Sequence, residues 1–385
     1  MSKLRDVIIK IVLFVLKKCK IKNFIVFESF PFYSDNTKFV FDEFVKRNVN
    51  KKFKMIWIAD RGTNSKVIDC ENVKIIEGNN FLNSLKKQYA ISAAKAVIVS
   101  NDLLKKINPR KQLFIDLAHG AALKNCSSHY NLPDCYDKAV CLSPYLAKYD
   151  AVNFNCDEEK MLPLGYPRND LLFGNKIDLH KYFSDSEFDK AVYWMPTYRQ
   201  HKNGKYNPSS IAFPIIYDED IAKAISQKAI DEKVLIIVKP HPAQDMSRIQ
   251  KLNLSNLVFI DNHFLSKNNI ENYELLRSVD ALISDYSSVY YDYLLCDKPI
   301  GLCFDDFEEY NSNEGFTVDP DFILAGGEKI YNTQDLCDFI ERIANGDDTL
   351  KDKRNEIKDL CHQYKDNQST QRVADYILNK LAGEI

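Results

Sequence analysis

The 385 residues, divided by a typical 150 per domain, give about 2.6, so two domains with an appendage are expected. Hydrophobic residues make up 45% and charged residues 28%, which excludes a disordered or fibrous chain. Lys+Arg 52 against Asp+Glu 54 leaves a net charge of −2, which argues against a nucleic-acid binder that relies on bulk positive charge.

The N-terminus is the compositional anomaly. Val7–Leu16 reads VIIKIVLFVL, flanked by Lys3, Arg5, Lys17, Lys18, Lys20 and Lys22. That run is too short to span a bilayer, which takes about 20 residues. No small-residue cleavage site follows, as a signal peptide would want, and the chain continues into Lys17-Lys18-Cys19-Lys20. Residues 1–22 therefore read either as a basic, apolar helix lying on an anionic membrane surface or as a first helix packed on the core. Ten cysteines contain no C-x-x-C pair, and several lie in apolar runs such as Ala139-Val140-Cys141-Leu142. Reduced thiols in a cytosolic setting are the reading, with neither a disulfide framework nor a zinc site.

Short apolar runs rich in β-branched residues then alternate with helix-length amphipathic stretches. The first half holds Phe24–Phe27, Met55–Ile58, Val73–Ile76, Ala96–Val99, Leu113–Leu117 and Ala139–Leu142. The second holds Ala191–Trp194, Val234–Val238, Leu257–Ile260, Ala281–Ile283 and Ile300–Phe304. Continuous apolar runs of this length predict strands buried on both faces, hence parallel sheets covered by helices. Two such series predict an α/β chain of two doubly wound, Rossmann-like domains facing a cleft. The seam is expected near Phe173–Phe188, giving domains at 23–175 and 176–385, the second closed by helices from Thr333 onward.

In open parallel sheets, ligands bind beyond the carboxyl ends of the strands, so the residues just after each run matter most. His119-Gly120-Ala121-Ala122-Leu123-Lys124 follows Leu113–Leu117, and a neutral imidazole there could take a proton from an attacking hydroxyl. The bland alternative is a structural hydrogen-bonder. Lys239-Pro240-His241-Pro242 follows Val234–Val238; its cations on a proline-stiffened exit suit an anionic ligand such as a diphosphate, and a tight surface turn is the alternative. Ser284-Asp285-Tyr286-Ser287-Ser288 follows Ala281–Ile283, offering two hydroxyls that read as a phosphate seat or as helix caps. Asp292 lies one helical turn beyond Ser288. Arg168 in Gly165-Tyr166-Pro167-Arg168-Asn169-Asp170 could clamp a phosphate, and Pro196-Thr197-Tyr198-Arg199 follows the first strand of the second half. Two D-x-D pairs, Asp218/Asp220 and Asp319/Asp321, match a divalent-metal pattern formally, but capping and a proline turn explain them, so a metal-independent site without cofactor is expected.

In this order the segments resemble the CDP-glycerol glycerophosphotransferase family, the bacterial teichoic-acid primases and polymerases. The resemblance spans roughly residues 24 to 375. It rests on His119–Lys124, Gly165–Asp170, Pro196–Arg199, Lys239–Pro242 and the block Asp285–Ser288, Asp292 and Asp297-Lys298-Pro299, with Phe27–Phe30 and Asn36 similar to the family's first strand and loop. Ala121 departs from it, standing where the family usually has threonine. The resemblance implies a glycosyltransferase-B-type fold with CDP-glycerol in the interdomain cleft. It implies His119 as general base, with Gly120, Ala121, Ala122, Leu123, Arg168, Pro196, Thr197, Lys239, Pro240, His241, Ser287, Ser288 and Asp292 around the substrates. It also implies a lipid-linked or glycan acceptor, in teichoic-acid or capsule-type polymer synthesis, and a peripheral enzyme on the cytoplasmic membrane face, with a homo-oligomer left open. A ribitol or nucleotide-sugar donor on the same fold, or a non-catalytic binding subunit, are the alternatives.

Overall fold

The computed structural model describes residues 19–59, 68, 70–77, 80–100, 112–128, 136–197, 213–241, 244, 247–252 and 254–383. The basic, apolar run Val7–Leu16 and the motif residues Tyr198, Arg199 and Pro242 lie outside them. The chain divides into two compact units. The first comprises 1–121, 127–170 and 366–385, and the second 122–126 and 171–365.

The first unit is built on seven parallel strands: β1 (Phe24–Glu28), β2 (Lys54–Ala59), β3 (Val73–Glu77), β4 (Ala96–Val99), β5 (Leu113–Asp116), β6 (Lys138–Cys141) and β7 (Met161–Pro163), in the order β3-β2-β1-β4-β5-β6-β7. Ile25 of β1 registers with Met55 on one side and Ala96 on the other. All four residues of β4 are buried, as an inner strand covered on both faces requires. The helix Asp35–Lys46 turns Val40, Phe41 and Phe44 inward, where the Phe41 ring meets Phe27 edge-on at 5.2 Å. Phe27 in turn stacks on Trp57 at 5.6 Å.

The second unit repeats the winding with β8 (Lys190–Trp194), β9 (Val234–Val238), β10 (Leu257–Phe259), β11 (Ala281–Ser284), β12 (Ile300–Cys303) and β13 (Glu328–Ile330), in the order β10-β9-β8-β11-β12-β13. Its core places Val192, Trp194, Ile236 and Ile283 against Ile225 and Ala229 of the helix Glu219–Asp231 and against Leu336, Phe339 and Ile340 of the helix Thr333–Asn345. Each fully buried aliphatic side chain there contributes roughly 1.5–3 kcal/mol relative to exposure. In both units the strand order reverses beside the first strand, which is where an open α/β sheet forms its ligand crevice.

The division between the units falls at 170, near the expected boundary at 175, and the terminal helix lies with the first unit. Ser369–Ala382 was expected to close the second domain, but it belongs to the first. The reason is polar. Asp170 accepts the N–H groups of Ser369 and Thr370 at 2.8 Å each, capping the helix, and Arg372 Nε donates to Leu164 O at 3.1 Å. Arg47 pairs with Asp375 farther along. Gly165 sits at φ +79° where a Cβ would lie 2.6 Å from Ser369 Oγ, so both backbone and space demand glycine.

Candidate functional site

In the first unit, chemistry gathers where β5 ends. Ala118 has φ +56°, a conformation that costs an L-residue roughly 1–2 kcal/mol, and Asp116 Oδ1 holds it by accepting its N–H at 2.8 Å. The buried Asn36 clamps the same turn, donating to Leu117 O at 3.0 Å and Ala118 O at 2.9 Å while accepting the Arg168 N–H at 3.1 Å. His119 follows, with its side chain 58% exposed and its Nδ1 paired with Asp35 Oδ2. Arg168 Nη1 donates both to Asp35 Oδ1 at 2.8 Å and to the His119 carbonyl at 2.6 Å. The Asp35 and Arg168 side chains are each 7% exposed. Burial pushes the Asp35 carboxyl up, but the Arg168 charge and the His119 contacts outweigh it and bring its pKa down to about 2. The result is an accessible imidazole on a buried, charged and immobilised base plate.

The second unit presents a different set at the carboxyl ends of β8, β9 and β11. Thr197, three residues beyond β8, gives its N–H to Asp285 Oδ1 and Oδ2 (3.0 and 2.9 Å) and its hydroxyl to Oδ2 (2.9 Å). Ser284 donates to Met195 O at 2.7 Å, so the exits of the two strands that flank the switch point are tied together. Half-buried Lys239 leaves β9 with no side-chain hydrogen bond or ion pair among the described residues; burial lowers its pKa, and Asp261 opposes that only through its charge. His241 lies two residues on, its pKa lowered first by partial burial and then by the positive charges of Lys124 and Lys239. Ser287 and Ser288 are half-buried, and Ser288, although it precedes the helix Val289–Leu294, makes no side-chain cap bond. Capping therefore does not explain the Ser288 hydroxyl.

The remaining expected residues fall elsewhere. Arg168, expected to clamp a phosphate, has its Nη1 engaged by Asp35 and the His119 backbone. Asp292 is buried and accepts the Tyr273 hydroxyl at 2.5 Å. Gly120 is half-buried, and Ala121, Ala122 and Leu123 are buried. The chain enters the second unit at Ala122, whose carbonyl accepts the Tyr291 hydroxyl at 2.9 Å, and Leu123 O accepts the Thr317 N–H at 2.9 Å. Pro196 is half-buried beside Thr197, and Pro240 lies half-buried between Lys239 and His241. The first carboxylate of each D-x-D pair caps a helix, Asp218 accepting from Asp220 N and Ile221 N at 3.0 and 2.9 Å and Asp319 from Asp321 N at 3.1 Å, while Asp220 and Asp321 pair with Lys223 and Lys329. Among the described residues, no group of three or more His, Cys, Asp or Glu is arranged to hold a metal ion.

Asp35 is the candidate-site residue that sequence reasoning passed over. Ser34-Asp35-Asn36 after a strand reads as ordinary helix capping, and nothing local shows that the carboxylate meets a histidine 84 positions on. Lys124 and Asp285 stand in recognised segments, but their charges gained meaning only once the strands were placed.

The model of the CDP-glycerol:poly(glycerophosphate) glycerophosphotransferase family matches residues 10–379. The teichoic acid glycerol-phosphate primase of Bacillus subtilis (strain 168) is 22% identical over 372 residues, covering 91% of each chain. The teichoic acid glycerol-phosphate transferase of Staphylococcus aureus (strain NCTC 8325 / PS 47) is 24% identical over 395 residues, covering 94% of this chain and 95% of that one. Among solved structures, the wall teichoic acid polymerase TagF superposes with a TM-score of 0.73 at 20% identity, over 100% of this chain and 97% of that one, which establishes the shared glycosyltransferase-B-like fold.

Proposed function

The chain belongs to the CDP-glycerol:poly(glycerophosphate) glycerophosphotransferase family, and on that premise we propose that it moves glycerol phosphate from CDP-glycerol to an acceptor hydroxyl in teichoic-acid synthesis, releasing CMP. The acceptor oxygen attacks the phosphorus that bears glycerol, the bridging P–O bond to CMP breaks, and the hydroxyl proton passes to the His119 imidazole. Such a transfer asks chiefly for a positioned base and for fixed positive charge around the diphosphate.

The observation that carries this reading is a division of labour. An exposed imidazole stands on a rigid base plate in the first unit. The second unit offers Lys239, a cation with no side-chain partner among the described residues, the two hydroxyls of Ser287 and Ser288, and His241. Lys239, Ser287 and Ser288 hold the donor diphosphate in this reading, which assigns no role to a metal; the leading carboxylates of the two D-x-D pairs, Asp218 and Asp319, cap helices. A lipid-linked acceptor and peripheral attachment through residues 1–22 complete it. The attachment is supported by the segment's basic, apolar composition, and no helix among the described residues is long and apolar enough to cross a membrane.

The test is purified enzyme with CDP-glycerol, CDP-ribitol and a nucleotide sugar, each with lipid-linked acceptors and with or without EDTA, read as CMP released. CMP from CDP-glycerol that survives EDTA is expected. CMP from CDP-ribitol alone would change the polyol, and donor binding without release would replace the enzyme by a binding subunit.

A further inference from the structure

We propose that Asp35 is a positioning residue that fixes which nitrogen of His119 acts as the base, and that Arg168 holds Asp35 in place to do so. This rests on the reading of His119 as the base. The two oxygens of the Asp35 carboxylate face different donors. Asp35 Oδ1 already receives two donors, the Asn36 N–H at 2.8 Å and Arg168 Nη1 at 2.8 Å. Oδ2 is the oxygen that faces His119 Nδ1. Asp35 is kept ionised by Arg168 and His119 despite its burial, so Oδ2 can only accept, and Nδ1 must be the donor. In the neutral ring the proton then sits on Nδ1 and the lone pair on Nε2.

Arg168 secures both ends of this arrangement, since the same Nη1 also bonds the His119 carbonyl at 2.6 Å and thereby fixes the backbone that carries the ring. Asn36 ties the turn before His119 to the Arg168 backbone, so carboxylate, guanidinium and imidazole share one frame. Two residues of that frame, Asp35 and Ala118, sit at φ +56°, a costly conformation that persists where surrounding contacts over-determine it. If Asp35 were merely the ion-pair partner of Arg168, the ring would gain nothing from it. The frame makes a sharper statement.

The substitution Asp35→Asn turns it into an experiment. The two donors at the Oδ1 position would retain the amide oxygen there, leaving the amide NH₂ to face the ring. Nδ1 would then have to accept, and the proton would move to Nε2, the wrong tautomer for an Nε2 base. The measurement is ¹⁵N NMR of histidine-labelled, full-length protein at mildly alkaline pH, with the His119 signals assigned by their loss in His119→Gln. Wild type should show a protonated Nδ1 and a bare Nε2, and this spectrum needs no destabilising variant. Asp35→Asn should exchange the two signals and lower CMP release by about 10²–10⁴-fold, as loss of a correctly oriented base does. CDP-glycerol affinity measured by calorimetry should stay unchanged. A wild-type ring protonated on Nε2, or an unexchanged ring in Asp35→Asn, would overturn the proposal, as would exchange with wild-type turnover. If wild type released no CMP from CDP-glycerol but showed the expected tautomer, the transfer reading would fall while the orienting contact stood.

Discussion

Thr197 and Asp285 lock two strand exits together: one threonine gives its backbone N–H and its hydroxyl to a single buried carboxylate, all three contacts lying at 2.9–3.0 Å. Neither β8 nor β11 could hold its following loop by ladder hydrogen bonds alone, because the ladder ends where these loops begin. The lock fixes the loops that bear Pro196 and the serines Ser287 and Ser288. Asp285→Ala removes the carboxylate that accepts the Thr197 N–H and hydroxyl, at a cost of about 1.5–3 kcal/mol for hydrogen bonds to a charged group. Urea unfolding should show that loss, and calorimetry should show weaker CDP-glycerol binding. Thr197→Ser retains both donors and should restore most of each quantity; if it behaves like Asp285→Ala, the lock is not the source of the effect.

Ser287 and Ser288 should separate stability from binding. The Ser288 hydroxyl takes part in no capping of the helix that follows, so Ser287→Ala with Ser288→Ala should leave the melting temperature nearly where it was. Donor affinity should fall, since two polar partners of the diphosphate are gone. Unaltered affinity in the folded double variant would move the phosphate seat elsewhere.

His362 gives the second unit an acid-sensitive joint. It is buried, with Nε2 2.8 Å from Tyr291 O, and burial brings its pKa down from 6.5 to about 4. The unfolded chain therefore takes up this proton at a higher pH than the folded one. Stability from this residue is complete above about 6.5 and is lost as pH falls toward 4, by an amount on the order of 3 kcal/mol at 1.36 kcal/mol per pKa unit. Asp35, lowered from 3.8 to about 2, adds its own loss only below that window. His362→Gln keeps an N–H for Tyr291 O and removes the titration, so its denaturation midpoint should vary less over this range. Parallel curves for the two proteins would assign the acid limb to other groups.

Much of the fold was legible because parallel strands buried on both faces must be apolar throughout. Ala96–Val99 and Val234–Val238 coincide residue for residue with β4 and β9, and the other nine runs differ from their strands only at the ends. Two strands escaped. β7 is three residues long, and β13, Glu328–Ile330, pairs with β12 on one side only and carries two polar residues, so no apolar run announces it. The return of the last helix was illegible for another reason: its ties are the Asp170 cap and the Arg372 bond to Leu164 O, single polar contacts across some 200 positions with no periodic signature. The candidate site followed the same divide. Lys239, His241 and the two serines stand immediately after apolar runs, where the sheet itself points to them, whereas Asp35 is defined by partners far away in sequence.

Residues 1–22 carry a prediction that the sheets do not. Their lysines and aliphatic side chains should hold the enzyme to anionic lipid, partly through charge that salt screens over a Debye length of about 8–10 Å. Deletion of the segment should reduce sedimentation with anionic liposomes, and raised salt should weaken wild-type binding while leaving a residual apolar part. Full binding by the truncated protein would place the anchor on another surface.

If His241 and Lys239 seat the donor diphosphate, donor binding is a proton-linked event. In the free protein, partial burial and the charges of Lys124 and Lys239 hold the His241 pKa below 6.5, so near neutral pH the ring is largely uncharged. A diphosphate brought against this group reverses the dominant charge effect: two neighbouring cations are neutralised, and an anion now favours the imidazolium. The pKa therefore rises on binding, and over the interval between its free and bound values the complex holds more protons than the free protein. Affinity must increase as pH falls through that interval, which begins below 6.5 in the free enzyme. Calorimetry of CDP-glycerol in buffers of different ionisation enthalpy should thus report net proton uptake within that interval. His241→Gln should abolish that uptake and flatten the pH dependence of Kd while leaving the Asp35–His119 tautomer untouched. Proton uptake that persists undiminished in His241→Gln would assign the linkage to another titratable group of the protein and remove His241 from the seat.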